Sequence, residues 1–280
     1  MPNDTHIMPT PALIPLNDRR RIPQLGLGVW QIPNDETTAV VREAIAVGYR
    51  SIDTAALYHN EPGVGDGLRA AGVPRDELFV TTKLWHDRHT DAERALDESL
   101  RRLGLDHVDL YLIHWPAPRQ NRYVDAWRAL VRARESGRAR SIGVSNFNPD
   151  HLERIIDATG AVPVVNQVEL HPRFQQRALR AFHAERGIAT ESWSPLGQGE
   201  VLRDATVGEI ARTHGRTPAQ VVIRWHLDSG LVVIPKSVHA ARLRENLDVF
   251  DFRLDDDDLR RIEGLDRRDG RMGLNPATFG

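Results

Sequence analysis

The chain has 280 residues, 40% hydrophobic and 27% charged, with a net charge of −2. That is ordinary globular composition, ample for a large core, and the charge balance leaves no electrostatic footprint for nucleic acid. There is no cysteine, which excludes disulfides, thiolate zinc sites and thiol nucleophiles. No apolar run reaches the roughly 18 residues of a membrane helix. The opening MPNDTHIMPTPALIPL shows no basic stretch followed by a long apolar core, so a cytoplasmic location with no membrane partner is the expectation.

Residues 1–10 are polar and proline-bearing and read as a flexible tail. ALIPL and RRIPQL, separated by Asn17 and Asp18, predict a short hairpin that plugs one end of the main fold. An alternation of strand and helix then begins. LGLGVW (25–30) is a glycine-broken strand, and 36–48 has helical spacing and stops at Gly48. A strand over 49–53 precedes a helix near 61–71 that stops at Gly72, and a strand over 78–84 follows. Thr90, with Glu93 three positions on, predicts a capping box at the start of the next helix. A strand over 108–113 and a helix over 122–136 complete the first half.

The second half repeats the pattern. Strand 139–144 leads to a helix from Asn148 to about Thr159, and strand 163–169 to a helix near 175–186. Strand 187–193 is followed by two helices, 206–214 and 217–228, the second opening on Thr217-Pro218. LVVIP (231–235) is the eighth strand, followed by a helix over about 239–247. Asp255 to Asp258 complement the dipole of a last helix, and 267–280 reads as a second flexible tail.

Eight near-continuously apolar strands, each with a crossover helix, predict a parallel sheet covered on its outside. The expected fold class is α/β, a single (β/α)8 barrel with an N-terminal hairpin and two extra helices, spanning 1–280 as one domain. An open doubly wound sheet is the rival, but no strand–GxGxxG–helix turn is present. Gly63, Gly65 and Gly67 follow no strand and read as loop and a loose helix start.

In such a barrel the active site lies at the C-terminal ends of the strands. Asp53 ends the second strand, Lys83 closes the third apolar run and His114 the fourth, with Tyr58 five positions beyond Asp53. Adjacent strands lie about 4.8 Å apart, so these side chains can meet. A phenol titrates at about 10, and a neighbouring ammonium lowers that value. Tyr58 is therefore expected to protonate a carbonyl oxygen, with Asp53 holding Lys83, and neutral His114 orienting the oxygen or sharing the relay. An Asp–Lys pair alone is more often structural; four such residues on one rim shift the balance to function.

Several rim residues suit a cofactor. Ser145 and Asn146 end the fifth strand, Gln167 lies in the sixth, and Trp193 ends the seventh where an indole can stack on a flat ring. Lys236, Ser237 and Val238 follow the eighth strand and lead into a helix with Arg242 and Arg244, a place for an anion. No acid stands where a ribose 2′-hydroxyl would need an acceptor, which favours NADPH over NADH. Trp30, Trp85 and Trp115 lie just past three strands and suggest a narrow apolar-walled pocket. His86 and His89 lack paired acids at ligand spacing, and no metal is expected there or at His171.

GYRSIDTAALY, TTKLW, LYLIHWP, IGVSNF, NQVELHP and IPKSV resemble the aldo-keto reductase superfamily, in order and at matching intervals from about residue 13 to about 255. ESWSPLGQG and RLRENLDVFDF look most like the bacterial reductases typified by 2,5-diketo-D-gluconate reductase. The resemblance implies Asp53, Tyr58, Lys83 and His114 as a catalytic tetrad with Tyr58 as proton donor. It implies an NADP(H) site with Ser145, Asn146 and Gln167 on the nicotinamide amide and Trp193 against the ring. SPLGQGEVLRD, with Ser194, Leu196 and Gly197, then covers the pyrophosphate. Lys236, Ser237 and Arg242 hold the 2′-phosphate, with Val238 beside them, and Glu245 and Asn246 touch the adenine. Val29 and Trp30 adjoin the cofactor, and Gln198 joins Trp30, Tyr58, Trp85, His114 and Trp115 around the substrate. His239 departs from the threonine of some members.

The expected activity is NADPH-dependent reduction of small carbonyls, diketones or keto-sugars by a monomer. The alternatives are an NADP(H)-binding sensor on the same barrel with little turnover, and a metal-dependent barrel hydrolase.

Overall fold

The N-terminal end of the molecule is closed by the expected hairpin, β1 (Leu13–Pro15) against β2 (Arg21–Pro23), with Leu13 opposite Pro23. The structure, a computed structural model, describes residues 12–280; residues 1–10 lie outside the described part. Asn17 at the turn donates to the Pro163 carbonyl at 3.0 Å, and the Ser141 hydroxyl donates to Asp18 at 2.6 Å. Ile22 is fully buried with Phe79, Leu110, Leu112, Val165 and Val232. The hairpin therefore plugs the barrel, as its apolar face requires.

Eight parallel strands follow: β3 (Leu27–Gly28), β4 (Ser51–Asp53), β5 (Phe79–Leu84), β6 (Val108–Ile113), β7 (Ala139–Ser145), β8 (Val165–Glu169), β9 (Ala189–Trp193) and β10 (Val232–Val233), each paired with its chain neighbour. Leu25 bridges to Val233, and the Gly26 amide donates to the Val233 carbonyl at 2.9 Å. The first strand thus meets the last and the sheet closes into the expected (β/α)8 barrel.

Among the described residues ten helices accompany the strands: α1 (Asn34–Val47), α2 (Glu61–Ala71), α3 (Ala92–Leu103), α4 (Tyr123–Glu135), α5 (Pro149–Thr159), α6 (Arg177–Glu185), α7 (Ala205–His214), α8 (Pro218–Asp228), α9 (Ala240–Leu247) and α10 (Asp256–Glu263). None of the described helices is long and apolar enough to cross a membrane. α8 begins with a capping box between Thr217 and Gln220, and α10 with Asp255 accepting from the amides of Asp257 and Asp258. Each such cap contributes about 1 kcal/mol.

Three local expectations give way to packing. The Thr90–Glu93 capping box does not form. α3 starts later, at Ala92 after Asp91, and the Glu93 carboxylate instead accepts from Arg132 at 2.7 Å and Arg138 at 2.9 Å. Two guanidinium bonds outweigh one neutral cap. Gly63, Gly65 and Gly67 are not loop but the interior of α2. A Cβ on Gly63 would lie 2.4 Å from the Asn34 carbonyl oxygen and one on Gly65 2.1 Å from that of Leu103, so the glycines let α2 press against its neighbours. Finally, the segment expected as a C-terminal tail lies across the barrel mouth. Its Met272 and Gly273 amides donate to Glu169 at 2.6 and 2.8 Å.

Candidate active site

Side chains two apart along a strand share a face, and the inward set at the top of this barrel is polar. Asp53, Lys83, Gln167 and Glu191 come from β4, β5, β8 and β9, and none is more than 2% exposed. The Lys83 ammonium lies 2.5 Å from Asp53 Oδ1, donates to the Thr54 carbonyl at 3.0 Å, and reaches the Tyr58 hydroxyl at 3.5 Å. It also sits 5.1 Å from the Tyr58 ring centroid. His114, just past β6, stands edge-on to Tyr58 with ring centroids 5.7 Å apart. The structure thus brings Asp53, Tyr58, Lys83 and His114 together.

Tyr58 reaches this place because a short turn carries it there. Ala56–Tyr58 form one 3-10 turn, ended by His59 in the left-handed region. Asn60 pins the turn: its amide donates to the carbonyls of Val29 (2.9 Å) and Ile32 (3.0 Å) and accepts from the Thr54 hydroxyl. Asn60 has no catalytic residue type and was not singled out from the sequence, yet it fixes the phenol.

Burial controls the titration of the group. It pushes the Tyr58 phenol above its usual value, and this outweighs the opposing pull of Lys83. The expectation that Lys83 would lower the phenol overall is therefore corrected: its pull has the expected sign but loses to desolvation and to the Asp53 charge. Burial works against the Lys83 ammonium, but Asp53 and Tyr58 more than compensate and carry it above its usual range. Burial, the Lys83 charge and His86 hold His114 well below its usual value, so it is neutral. Its Nδ1 is buried without a partner among the described residues.

The remaining rim residues form a connected set. Gln167 donates through one amide nitrogen to Asp53 Oδ2 and to Glu191, each at 2.8 Å. The Ser145 hydroxyl donates to the Gln167 backbone carbonyl at 2.8 Å, and the Trp193 indole donates to the Asn146 side-chain oxygen at 2.9 Å. Asn146 holds the His114 carbonyl at 3.0 Å and is itself left-handed, at φ 63°. Trp193 is half-buried, Ser194 is left-handed at φ 50°, and Leu196 and Gly197 follow in the same loop. Val29 is buried, with its amide on the Asp53 carbonyl at 3.1 Å, while Trp30 is 44% exposed.

Around the start of α9, Lys236 and Arg242 are exposed, and Lys236 donates to the Gln31 carbonyl at 3.4 Å. Ser237 is buried, accepts from the His239 amide at 3.2 Å and lies next to the exposed Val238. Arg244 does not join them. It pairs with Glu43 on α1 at 2.6 Å, because its place on the helix turns it toward that neighbour. Glu245 accepts from Thr217 at 2.6 Å, and Asn246 is buried beside it.

Over the mouth, Phe279 packs on Trp115 and Trp85 (centroids 4.7 and 6.0 Å) and on His86 (5.1 Å). Trp85 meets His114 at 5.2 Å. Gln198 is exposed and left-handed at φ 50° in the loop after β9. Besides Asn60, two residues at this site were missed in the sequence. Phe279 carries no local signal. Glu191 does: an acid within IATESW, two positions before Trp193, must face inward with it.

The family model described as "Aldo/keto reductase family" matches residues 24–267. The chain is 58% identical over 270 residues to "Methylglyoxal reductase DkgA" of Yersinia pestis, covering 96% of this chain and 97% of that one. To the protein of the same name from Escherichia coli K12 it is 54% identical over 275 residues, covering 98% and 100%. Among solved structures, a mutant of Gox0644 in complex with NADPH superposes with a TM-score of 0.94 at 58% identity, covering 97% of this chain and all of that one. An aldo/keto reductase from Brucella melitensis gives a TM-score of 0.90 at 51% identity, covering 93% and 99%.

Proposed function

The chain belongs to the aldo/keto reductase family, and from that premise we propose that it reduces small aldehydes and ketones, methylglyoxal among them, with NADPH, Tyr58 giving the proton to the carbonyl oxygen. One line of groups carries the assignment: a half-buried phenol 3.5 Å from a fully buried ammonium that is itself paired with Asp53, beside a neutral imidazole.

The residues present suit the cofactor. Gln167 commits its amide nitrogen inward, which turns its carbonyl oxygen toward the mouth as an acceptor for a carboxamide. Ser145 and Asn146 complete that polar set, and Trp193 offers a ring face. Ser194, Leu196 and Gly197 would lie along the pyrophosphate. Lys236 and Arg242 have no carboxylate partner among the described residues, which leaves their charge for a 2′-phosphate beside Ser237 and Val238. Glu245 and Asn246 would border the adenine, and Val29 and Trp30 the nicotinamide side.

When bound, the reduced nicotinamide supplies hydride to the carbonyl carbon. The protein supplies the proton and the charge. Tyr58 keeps its proton at neutral pH because burial raises the phenol above its usual value, so it is a donor and not a base. The Lys83 ammonium stabilises the phenolate as it forms. A positioned acid of this kind contributes roughly 10²–10⁴-fold. Neutral His114 can hold the carbonyl oxygen by its N–H. Trp30, Trp85, Trp115 and Gln198, with Phe279, would border a small carbonyl compound.

We also place the protein in the cytoplasm as a monomer. It lacks cysteine, and few large hydrophobic side chains are exposed among the described residues: Leu13, Trp30, Val238 and Leu274. Loss of NADPH absorbance on adding methylglyoxal, small diketones or keto-sugars tests the activity. Turnover should appear with at least one of them and fall at least 100-fold in Tyr58→Phe. A Tyr58→Phe enzyme with near-normal turnover would remove the proton-donor assignment.

A further inference from the structure

Glu191 is a carboxyl at the heart of the barrel that the reaction as described does not use. It is 1% exposed, between Gln167 on β8 and Val232 on β10 in the strand register. Gln167 has two amide hydrogens and gives one to Asp53 and the other to Glu191. Two acids thus hang from one nitrogen, and the described structure holds only one buried cation beside them, Lys83.

We propose that Glu191 is a positioning residue for the reduction: it anchors the Gln167 amide and, through that amide, the Asp53–Lys83 pair that Tyr58 depends on. This rests on the reductase reading above.

The anchoring follows from hydrogen-bond accounting. With Glu191 in place, both amide hydrogens point inward, and the Gln167 carbonyl oxygen must point toward the mouth. Without an acceptor at 191, one buried N–H is orphaned and the amide has reason to flip. The cofactor-facing acceptor and one bond to Asp53 are then both at risk.

The charge balance follows from the same geometry. Asp53 from β4 and Lys83 from β5 are the charged groups that act on Glu191; β8 presents neutral Gln167 and, two positions on, Glu169, whose carboxylate accepts from the Met272 and Gly273 amides, and β10 presents Val232. If Glu191 is protonated, the cluster of Asp53, Lys83 and Glu191 is neutral overall. If it ionises, the buried cluster carries one net negative charge, which holds the Lys83 and Tyr58 protons more tightly. Burial, followed by the Asp53 charge, pushes Glu191 up to about 8. Glu191 is therefore a protonated acid at neutral pH and can donate as well as accept. Reduction should slow as pH rises through that value, because Tyr58 then gives up its proton less readily.

Three proteins test this: the unsubstituted enzyme, Glu191→Gln and Glu191→Leu. Glu191→Gln keeps an acceptor for Gln167 but cannot ionise. It should stay within about twofold of normal kcat/KM at pH 7, and the fall near pH 8 should vanish or move up by at least one unit. Glu191→Leu should lose at least tenfold at every pH while retaining the circular dichroism of the fold. An infrared band of a protonated buried carboxyl, present at pH 6.5, fading by pH 9.5 and missing from Glu191→Gln, reads the same ionisation without turnover. Superimposable pH profiles in Glu191→Gln and the unsubstituted enzyme, absence of that band, or normal rates in Glu191→Leu would overturn the proposal. Failure of the unsubstituted enzyme to reduce any carbonyl would instead strike the reductase reading, and the infrared band would still decide the state of Glu191.

Discussion

At the N-terminal end of the barrel, Arg20, Arg21, Arg50 and Arg140 face Asp76, Glu77 and Asp109 around a cleft of about 500 Å³ beside the hairpin. At the C-terminal end, Lys83 meets Asp53 with Glu191 close by, all buried. The lower cluster has more charges but keeps most of them in water; Arg20 and Arg140, for instance, are 50% and 40% exposed. Exposed pairs contribute little, commonly 0–1 kcal/mol. The upper cluster has fewer charges, but desolvation shifts Tyr58, His114 and Glu191, and Lys83 stays charged against it only because Asp53 and Tyr58 hold its proton.

Backbone strain divides the same way. Of nine described non-glycine residues with positive φ, all but Arg19 lie in loops that leave the C-terminal ends of the barrel strands. Such conformations are costly and collect at functional sites. Burial and strain separate the two ends; charge count does not.

Breaking the upper pair should have the largest effect. Lys83→Met leaves Asp53 buried and unpaired, a loss of about 3–5 kcal/mol in denaturant melts. Reductase turnover should fall at least 100-fold in whatever fraction remains folded. A normally stable Lys83→Met protein would mean that the upper cluster is no more coupled than the lower one.

The next effect sharpens the boundary of the upper region. Phe279→Ala opens the aromatic wall formed with Trp85, His86 and Trp115. We expect kcat/KM for small carbonyls to drop by about tenfold, the scale of lost apolar contacts in a pocket, with NADPH affinity unchanged in a fluorescence titration. Equal losses in both would place Phe279 on the cofactor instead.

A third effect concerns acid. Burial lowers His89, His183 and His226 to about 4. A base held neutral by folding contributes stability that is present above its unfolded value, near 6.5, and is lost as pH falls toward 4. Melting temperature should therefore decline from pH 6.5 to pH 4, and His183→Gln should flatten part of that decline. The smallest effect is expected at the lower end, where Arg140→Ala should change stability by no more than about 0.5 kcal/mol and leave kcat unaltered. A large loss of activity in Arg140→Ala would erase the contrast between the two ends.

Much of the upper site was legible because strand parity and strand ends are sequence properties. Asp53, Lys83, His114, Ser145, Gln167 and Trp193 each sit at or near the end of a recognisable apolar run, and a barrel collects such ends on one rim. Glu191 was equally readable by parity, as an acid inside a strand, but its partner Gln167 lies 24 positions away. Asn60 and Phe279 could not be read at all. Asn60 acts through carbonyls of Val29 and Ile32, and Phe279 through rings that precede it by well over a hundred residues.

By itself, the order of residues determined the strand–helix period, the hairpin, the caps at Thr217 and Asp255, and which side chains face inward, since these depend on spacing of two, three or four positions. Tertiary structure alone decided that Gly63, Gly65 and Gly67 serve helix contact, that Glu93 turns to Arg132 and Arg138, and that the C-terminal segment roofs the mouth. It also decided the sign of the Tyr58 shift. Desolvation and long-range packing arise only when distant segments meet, and no local pattern encodes how much water they exclude.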